Sequence, residues 1–324
     1  MAFHRIFHLA SVNREERELI EASRPANVMI DVVEDAKDPR WEQMLARADA
    51  VITGGHVLTA AELNRAPRLK AVQMRGVGWQ DRVPAAELQA RGIRLAICRV
   101  GTAEAVAEHA LMFILALQRC LLSADASVRA GRYIHANPAL RKRSHRLAGA
   151  TVGLIGMGRI GRELARLLAP MGIRGLYHSR TALDPTKVEL HKFRHVPLET
   201  LLAESDVISL HLPGGDETRH IIGADEIAKM KPGAILVNTA RGSIVDQPAL
   251  TSALQSGHLG GVGLDVFDPE PPAPNDPLFA FPNVIVTPHI AAAQRETFGE
   301  KIDFCIGNLA QFLATGKLEN EIFL

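Results

Sequence analysis

The chain is poor in cysteine and in aromatic residues, and it carries no excess of either charge. Cys98, Cys120 and Cys305 are its only cysteines in 324 residues. Three, widely spaced, make neither a disulfide framework nor a zinc-ligand pattern, and they point to a reducing, cytoplasmic setting. Lysine and arginine number 37 against 36 acidic residues, a formal charge of +1. That balance supplies no basic face for nucleic acid, and the densest basic patch, Arg141-Lys142-Arg143 with Arg146, reads as a solvated loop. Long apolar runs are missing too. The longest, Ala110 to Leu117, is far short of a bilayer span and suits a buried helix. The N-terminus has no apolar stretch of the kind a secretory signal needs. Internal repeats and low-complexity segments are absent beyond a βα alternation. These absences leave a small molecule as the expected partner.

Hydrophobic residues make up 47% of the chain, enough for a large core divided between two domains. Short apolar runs alternate with helical patterns, the mark of βαβ units around parallel sheets. The first set of expected strands is Ile6–Leu9, Val28–Val33, Ala50–Thr53, Leu69–Met74 and Ile93–Ile97. A long Ala-rich helix runs from about residue 102 to about Leu122, and 123–147 reads as a polar surface excursion or a subunit contact. The second set is Thr151–Ile155, Gly175–His178, Asp206–His211, Ala234–Thr239, Gly261–Val266 and Val284–Thr287. After Ile290, the spacing of Phe298, Ile302, Ile306, Leu309 and Phe312 predicts a closing helix.

The strongest single motif is Gly156-Met-Gly158-Arg159-Ile160-Gly161, placed between an apolar strand and a helical pattern. In that context the glycines permit a tight turn, close approach of backbone to phosphate, and tight helix packing, while the helix N-terminus attracts negative charge. A dinucleotide pyrophosphate is the expected ligand. About 20 residues further on, where an acidic residue would take the ribose of NAD, the chain has Ser179-Arg180-Thr181. An arginine fork with two hydroxyls suits the 2′-phosphate of NADP, so NADP(H) is expected as preferred and NAD(H) as possible. Three later strands run into Arg241, into Glu270 and into His289. An arginine, a carboxylate and an imidazole at one sheet edge are the parts needed for hydride transfer to a carbonyl beside a carboxylate. His289 serves as acid and base, Glu270 as its partner, and Arg241 as the clamp on carboxylate and carbonyl.

Asn238-Thr-Ala-Arg241-Gly-Ser-Ile-Val-Asp246, Gly263-Leu-Asp-Val-Phe-Asp-Pro-Glu270-Pro and Thr287-Pro-His289-Ile resemble the signature segments of the D-isomer-specific 2-hydroxyacid dehydrogenases. Ala71-Val-Gln-Met-Arg-Gly-Val77-Gly78 and Ala105-Val-Ala-Glu108-His109 fit the family's earlier landmarks, so the resemblance covers nearly the whole chain. It implies two doubly wound parallel-sheet α/β domains, a Rossmann cofactor domain at 100–290 inserted into a flavodoxin-like substrate domain at 1–99 and 291–324. It implies Arg241, Glu270 and His289 as the catalytic trio, and the backbone N–H groups of Val77 and Gly78 as carboxylate binders. The cofactor would be met by Thr102, by Gly156 to Gly161 with Arg159 and Ile160, and by Ser179, Arg180 and Thr181. His211-Leu212-Pro213, Thr239, Ala240, Asp265 (near the nicotinamide carboxamide) and His289 complete that set. His109 and His211 are expected to be structural. A hinge at the two domain crossings and a homodimer through the long helix and 123–147 also follow from the resemblance.

Three departures bear on substrate. Trp79-Gln-Asp-Arg-Val-Pro84 carries one extra residue, with proline where the family has a second aspartate, and Arg99-Val100 replaces the usual Pro-Gly before the long helix. No regulatory extension follows the tail, which argues against long phosphoglycerate dehydrogenases, and Glu270 in place of glutamine points away from formate dehydrogenases. The expected activity is reduction of a small 2-oxo acid such as glyoxylate or hydroxypyruvate to the D-2-hydroxy acid. Two rivals remain: an NAD-dependent dehydrogenase of a bulkier or phosphorylated hydroxy acid such as 3-phosphoglycerate, and a dinucleotide-sensing, corepressor-like binding protein.

Overall fold

A computed structural model describes residues 3–33, 37–133, 138–184 and 193–324. The chain divides into two compact units, Met1–Thr102 with Ala293–Leu324 (unit 1) and Ala103–Ala292 (unit 2), against the expected 1–99, 100–290 and 291–324. The strands of unit 1 are β1 (His4–Ser11), β2 (Val28–Val33), β3 (Ala50–Thr53), β4 (Ala71–Met74) and β5 (Arg94–Ile97). Those of unit 2 are β6 (Thr151–Ile155), β7 (Arg174–His178), β8 (Phe193–His195), β9 (Val207–Leu210), β10 (Ala234–Asn238), β11 (Leu259–Leu264) and β12 (Val284–Val286). A last strand, β13 (Glu321–Ile322), returns to unit 1.

In unit 1 the order is β13-β5-β4-β3-β1-β2, parallel except for antiparallel β13. This is the doubly wound order in which the chain reverses direction between β1 and β3. Both faces are covered, which is why the strands read as unbroken apolar runs. Phe7, Leu9, Val51, Val72 and Leu95 face one helical layer. Ile6, Ile52, Ala71 and Ala96 face the other, where Ile302, Ile306 and Leu309 of helix Arg295–Thr315 seal the sheet.

In unit 2 the order is β12-β11-β10-β9-β6-β7-β8, all parallel, with the reversal between β6 and β9. Phe113 and Ile114 of helix Thr102–Gln118 pack on Val152, Leu154, Ile235 and Val237, while Leu210, Leu236 and Leu264 meet the opposite layer. These are two parallel-sheet α/β domains of the expected class.

Some local expectations need correction. The long helix does not run to Leu122: it ends at Gln118, and Leu121–Arg129 forms a second helix bent 62° from it. Cys120, in the left-handed region at φ 51°, makes the break. The expected excursion at 123–147 therefore contains helix, as does Pro138–Arg143, while 134–137 lies outside the described residues. β8 and β13 were not foreseen at all.

Candidate active site

The strand order of unit 2 decides what meets at the carboxyl edge of its sheet. Read from β7 to β12, the strand ends deliver Ser179-Arg180, the glycine turn, His211-Leu212-Pro213, Thr239-Ala240-Arg241, Asp265 to Glu270, and His289. Five strand spacings separate the first from the last, about 24 Å at 4.8 Å per strand. Only an extended ligand bridges that row.

The glycine turn sits between neighbours that leave it no spare volume. Gly156 has φ 98°, its N–H donates to His178 O at 2.8 Å, and a Cβ there would lie 2.4 Å from His211 O. Gly161 serves a close approach of helix to strand exit: its Cβ would lie 2.3 Å from the carbonyl oxygen of Gly156, the residue that follows β6. Gly158 is the contrast. It is the N-cap of helix Arg159–Leu168, no side-chain cap bond is made there, and a Cβ would meet nothing within 4 Å. The space and the helix N–H groups on that side, with Arg159 exposed and Ile160 half-buried, suit an anion. Thr239 Oγ1, at the end of β10, is buried without a partner among the described residues. An orphaned hydroxyl, an uncapped helix start and an open cradle fit a dinucleotide laid along this edge.

At the β7 end, Ser179 Oγ donates to Thr181 O at 2.7 Å, and exposed Arg180 contacts Glu217 at 3.0 Å. Exposed pairs of this kind are weak and salt-screened. His211 donates its backbone N–H to Ile155 O at 2.7 Å. Its Nε2 is buried without a described partner, and burial pushes its pKa down to about 4. Leu212 and Pro213 follow, half-buried and exposed respectively.

At the other end, Asn238 shapes the turn that carries Arg241. Its Nδ2 donates to Arg241 O at 2.8 Å and its Oδ1 accepts from Ala240 N at 3.0 Å. The half-buried Arg241 guanidinium donates to Ala240 O at 2.8 Å. Gly242 follows because β11's exit crosses it: a Cβ would lie 2.0 Å from Phe267 C. The His289 ring then meets the carboxylate of Glu270, Nδ1 lying 2.9 Å from Oε2 and 3.1 Å from Oε1. A carboxylate only accepts, so Nδ1 carries the proton of that bond and Nε2 is the nitrogen left to exchange one.

His289 has φ 55°, unusual for a residue with a side chain, and Asp265 supplies the restraint. Asp265 is 1% exposed. Its Oδ1 accepts from Thr287 Oγ1 (2.5 Å) and Ile290 N (2.9 Å), its Oδ2 from Ala291 N (2.8 Å), and its backbone O from His289 N (2.8 Å). His109 Nε2 reaches Thr287 Oγ1 at 2.9 Å and Asp265 Oδ1 at 3.8 Å, and burial lowers its pKa. Sequence reasoning placed Asp265 beside the cofactor; its carboxylate bonds hold the 287–291 turn. It passed over Asn238 and Thr287 as side chains with work of their own. A polar residue ending an otherwise apolar strand was the available signal for both.

The remaining expected residues lie in unit 1. Val77 and Gly78 follow β4 at the carboxyl edge of that sheet and are half-buried. Thr102 is 5% exposed, its Oγ1 donating to Val100 O at 3.2 Å.

Residues 111–291 match the family model described as D-isomer specific 2-hydroxyacid dehydrogenase, NAD binding domain. A glyoxylate reductase of Korarchaeum cryptofilum is 37% identical over 290 residues, 87% of this chain and 86% of its own. A D-3-phosphoglycerate dehydrogenase of Mycobacterium leprae is 36% identical over 85% of this chain and 53% of its own. Among solved structures, a glyoxylate reductase from Paecilomyes thermophila superposes with a TM-score of 0.86 at 29% identity, covering 99% of each chain.

Proposed function

This chain belongs to the D-isomer specific 2-hydroxyacid dehydrogenase family, and on that premise we propose that it reduces a small 2-oxo acid, of the glyoxylate or hydroxypyruvate kind, to the D-2-hydroxy acid with NADPH preferred over NADH. The observation that carries the reading is the His289–Glu270 pair, 2.9 Å apart, on the same sheet edge as Arg241 and the glycine turn. When bound, the dinucleotide supplies a hydride to the carbonyl carbon. His289 supplies the proton from Nε2 to the carbonyl oxygen, and the Glu270 carboxylate orients the ring by accepting from Nδ1. Arg241 binds the substrate carboxylate and polarises the carbonyl, a charge that persists at any working pH. The backbone N–H groups of Val77 and Gly78, after β4 of unit 1, are assigned to substrate binding within the same proposal. Thr102, His211-Leu212-Pro213, Thr239 and Ala240 line the cofactor, and Asp265 positions His289.

NADPH is favoured by Ser179-Arg180-Thr181, which offers a guanidinium and hydroxyls where an NAD site offers a carboxylate. The two-fold dimer and the cytoplasmic setting belong to the same proposal. Oxidation of a phosphorylated hydroxy acid with NAD is the second reading, favoured by the Mycobacterium leprae relative. Initial rates with glyoxylate, hydroxypyruvate and 3-phosphohydroxypyruvate, each with both cofactors, separate the two. His289→Gln should remove most turnover and leave NADPH binding intact by fluorescence titration. Full activity in that variant would refute the assignment of the proton donor.

A further inference from the structure

Two histidines that take no part in hydride transfer stand beside Ser179, Arg180 and Thr181 in unit 2. His178 is the last residue of β7, and His195 is the last of β8, whose parallel register sets Tyr177 against His195. The two imidazoles are stacked, their planes 11° and their centroids 6.2 Å apart, and the Tyr177 ring flanks His195 at 5.1 Å. Each ring is tied down by one nitrogen. His178 Nδ1 lies 3.1 Å from Val196 O, and His195 Nε2 lies 3.1 Å from Ser179 O. A carbonyl only accepts, so both of those nitrogens carry the hydrogen. The opposite nitrogens, Nε2 of His178 and Nδ1 of His195, have no partner among the described residues. His195 is exposed and His178 half-buried.

We propose that His178 and His195 are a protonatable part of the cofactor's 2′-phosphate subsite, so that NADPH binds with more proton uptake than NADH. The inference rests on the NADPH reading above and adds to it a dependence on pH. Histidine is the side chain that ordinarily changes charge between pH 5 and 8. Two cationic rings side by side, next to the Arg180 guanidinium, disfavour each other's charge. A phosphate reverses that balance, and each newly protonated nitrogen becomes a donor to its oxygens. The bond from His195 to the Ser179 backbone holds that ring against the turn assigned to the phosphate.

The neighbouring charged and titratable groups are engaged elsewhere. Tyr177 Oη accepts from Leu183 N at 3.1 Å. Arg194, next to His195 on β8, points to the other face of the strand and lies 3.7 Å from Glu204 of helix Leu198–Glu204. Arg180 meets Glu217, which follows β9, at 3.0 Å, and a pair so exposed is readily exchanged for a phosphate. Glu204 and Glu217 thus engage arginines, and no carboxylate contacts either imidazole among the described residues. A pair of rings that merely filled space would do so equally well uncharged, and would leave no mark on the pH dependence of cofactor binding.

The experiment uses the full chain and reads binding rather than turnover. Fluorescence titration gives Kd for NADPH and for NADH between pH 6.5 and 8.5, and their ratio cancels every titration that the two cofactors share. The NADPH advantage should grow at least about fivefold from pH 8.5 to 6.5. Loss of charge from the phosphate itself, near pH 6, works in the opposite direction. His178→Asn combined with His195→Gln keeps an amide donor for each carbonyl but cannot gain a proton. That variant should give a ratio independent of pH, with its far-ultraviolet spectrum unchanged. Calorimetry of the unaltered chain in two buffers of different ionisation enthalpy should show more proton uptake with 2′,5′-ADP than with 5′-ADP. An NADPH advantage that is flat with pH, or that keeps its slope in the variant, would overturn the inference and leave the cofactor preference standing. Tighter binding of NADH at every pH would overturn both.

Discussion

Asp265→Asn tests how the His289 segment is held. The buried carboxylate accepts from Thr287 Oγ1, Ile290 N and Ala291 N. Asparagine keeps the shape, but one oxygen becomes an NH2 that cannot accept. Whichever way the amide turns, at least one buried donor then faces another donor. A hydrogen bond to a charged group is worth about 1.5–3 kcal/mol, and an orphaned buried donor costs about 1–3 kcal/mol, so a combined loss of about 3 kcal/mol is expected. For a unit of this size that lowers the unfolding midpoint by about 6–12 °C, at roughly 2–4 °C per kcal/mol. Differential scanning calorimetry of the unit 2 transition measures it directly. His289, with φ 55°, should lose its alignment at the same time, so kcat should fall at least about tenfold with a smaller change in KM. An unchanged midpoint together with an unchanged kcat would refute the role given to Asp265.

Three further outcomes are expected. Gly158→Ala should leave stability within about 0.5 kcal/mol and weaken NADPH binding at least about tenfold, whereas Gly156→Ala, at φ 98° and 2.4 Å from His211 O, should cost more than about 2 kcal/mol of stability; calorimetry and titration showing the reverse order would contradict the cradle. His211, whose pKa is held near 4 by burial against 6.5 when unfolded, makes the unfolded chain bind more protons than the folded unit between those values. Stability is therefore full above about pH 6.5 and falls by about 3 kcal/mol as pH drops toward 4, and His211→Gln should flatten that slope in a pH series of melts. Replacing Ser179 and Arg180 with acidic residues should shift the kcat/KM ratio toward NADH by at least about tenfold, and no shift would sink the NADPH preference.

How much of this was legible beforehand depended on the range of the interactions involved. The strands announced themselves because both sheet faces are buried, and an apolar run survives any detail of packing. The trio was legible as strand ends, since each residue follows its strand by a few positions. β13 was not legible: two residues with no apolar pattern are recruited by Ile97 N donating to Asn320 O and by the Arg94–Glu321 ion pair. Nothing local distinguishes them. The helix break at Cys120 hid for a related reason, because apolar residues continue through Leu121 and Leu122 while the turn depends on one backbone angle at a residue that is not glycine. Asp265 could be singled out by its motif, but the donors that hold it lie 22 to 26 residues away.

The closing helix Arg295–Thr315 also has a consequence for the order of events during synthesis. Unit 1 is assembled from the two ends of the chain, and about 190 residues of unit 2 are made in between, which takes roughly 10–40 s on a ribosome. Throughout that interval the sheet face bearing Ile6, Ile52, Ala71 and Ala96 waits for Ile302, Ile306 and Leu309. Unit 2, being continuous, can fold first. The half-made unit 1 is then the species most exposed to chaperones and to aggregation, and slowing translation should lengthen its vulnerable period without touching the finished protein.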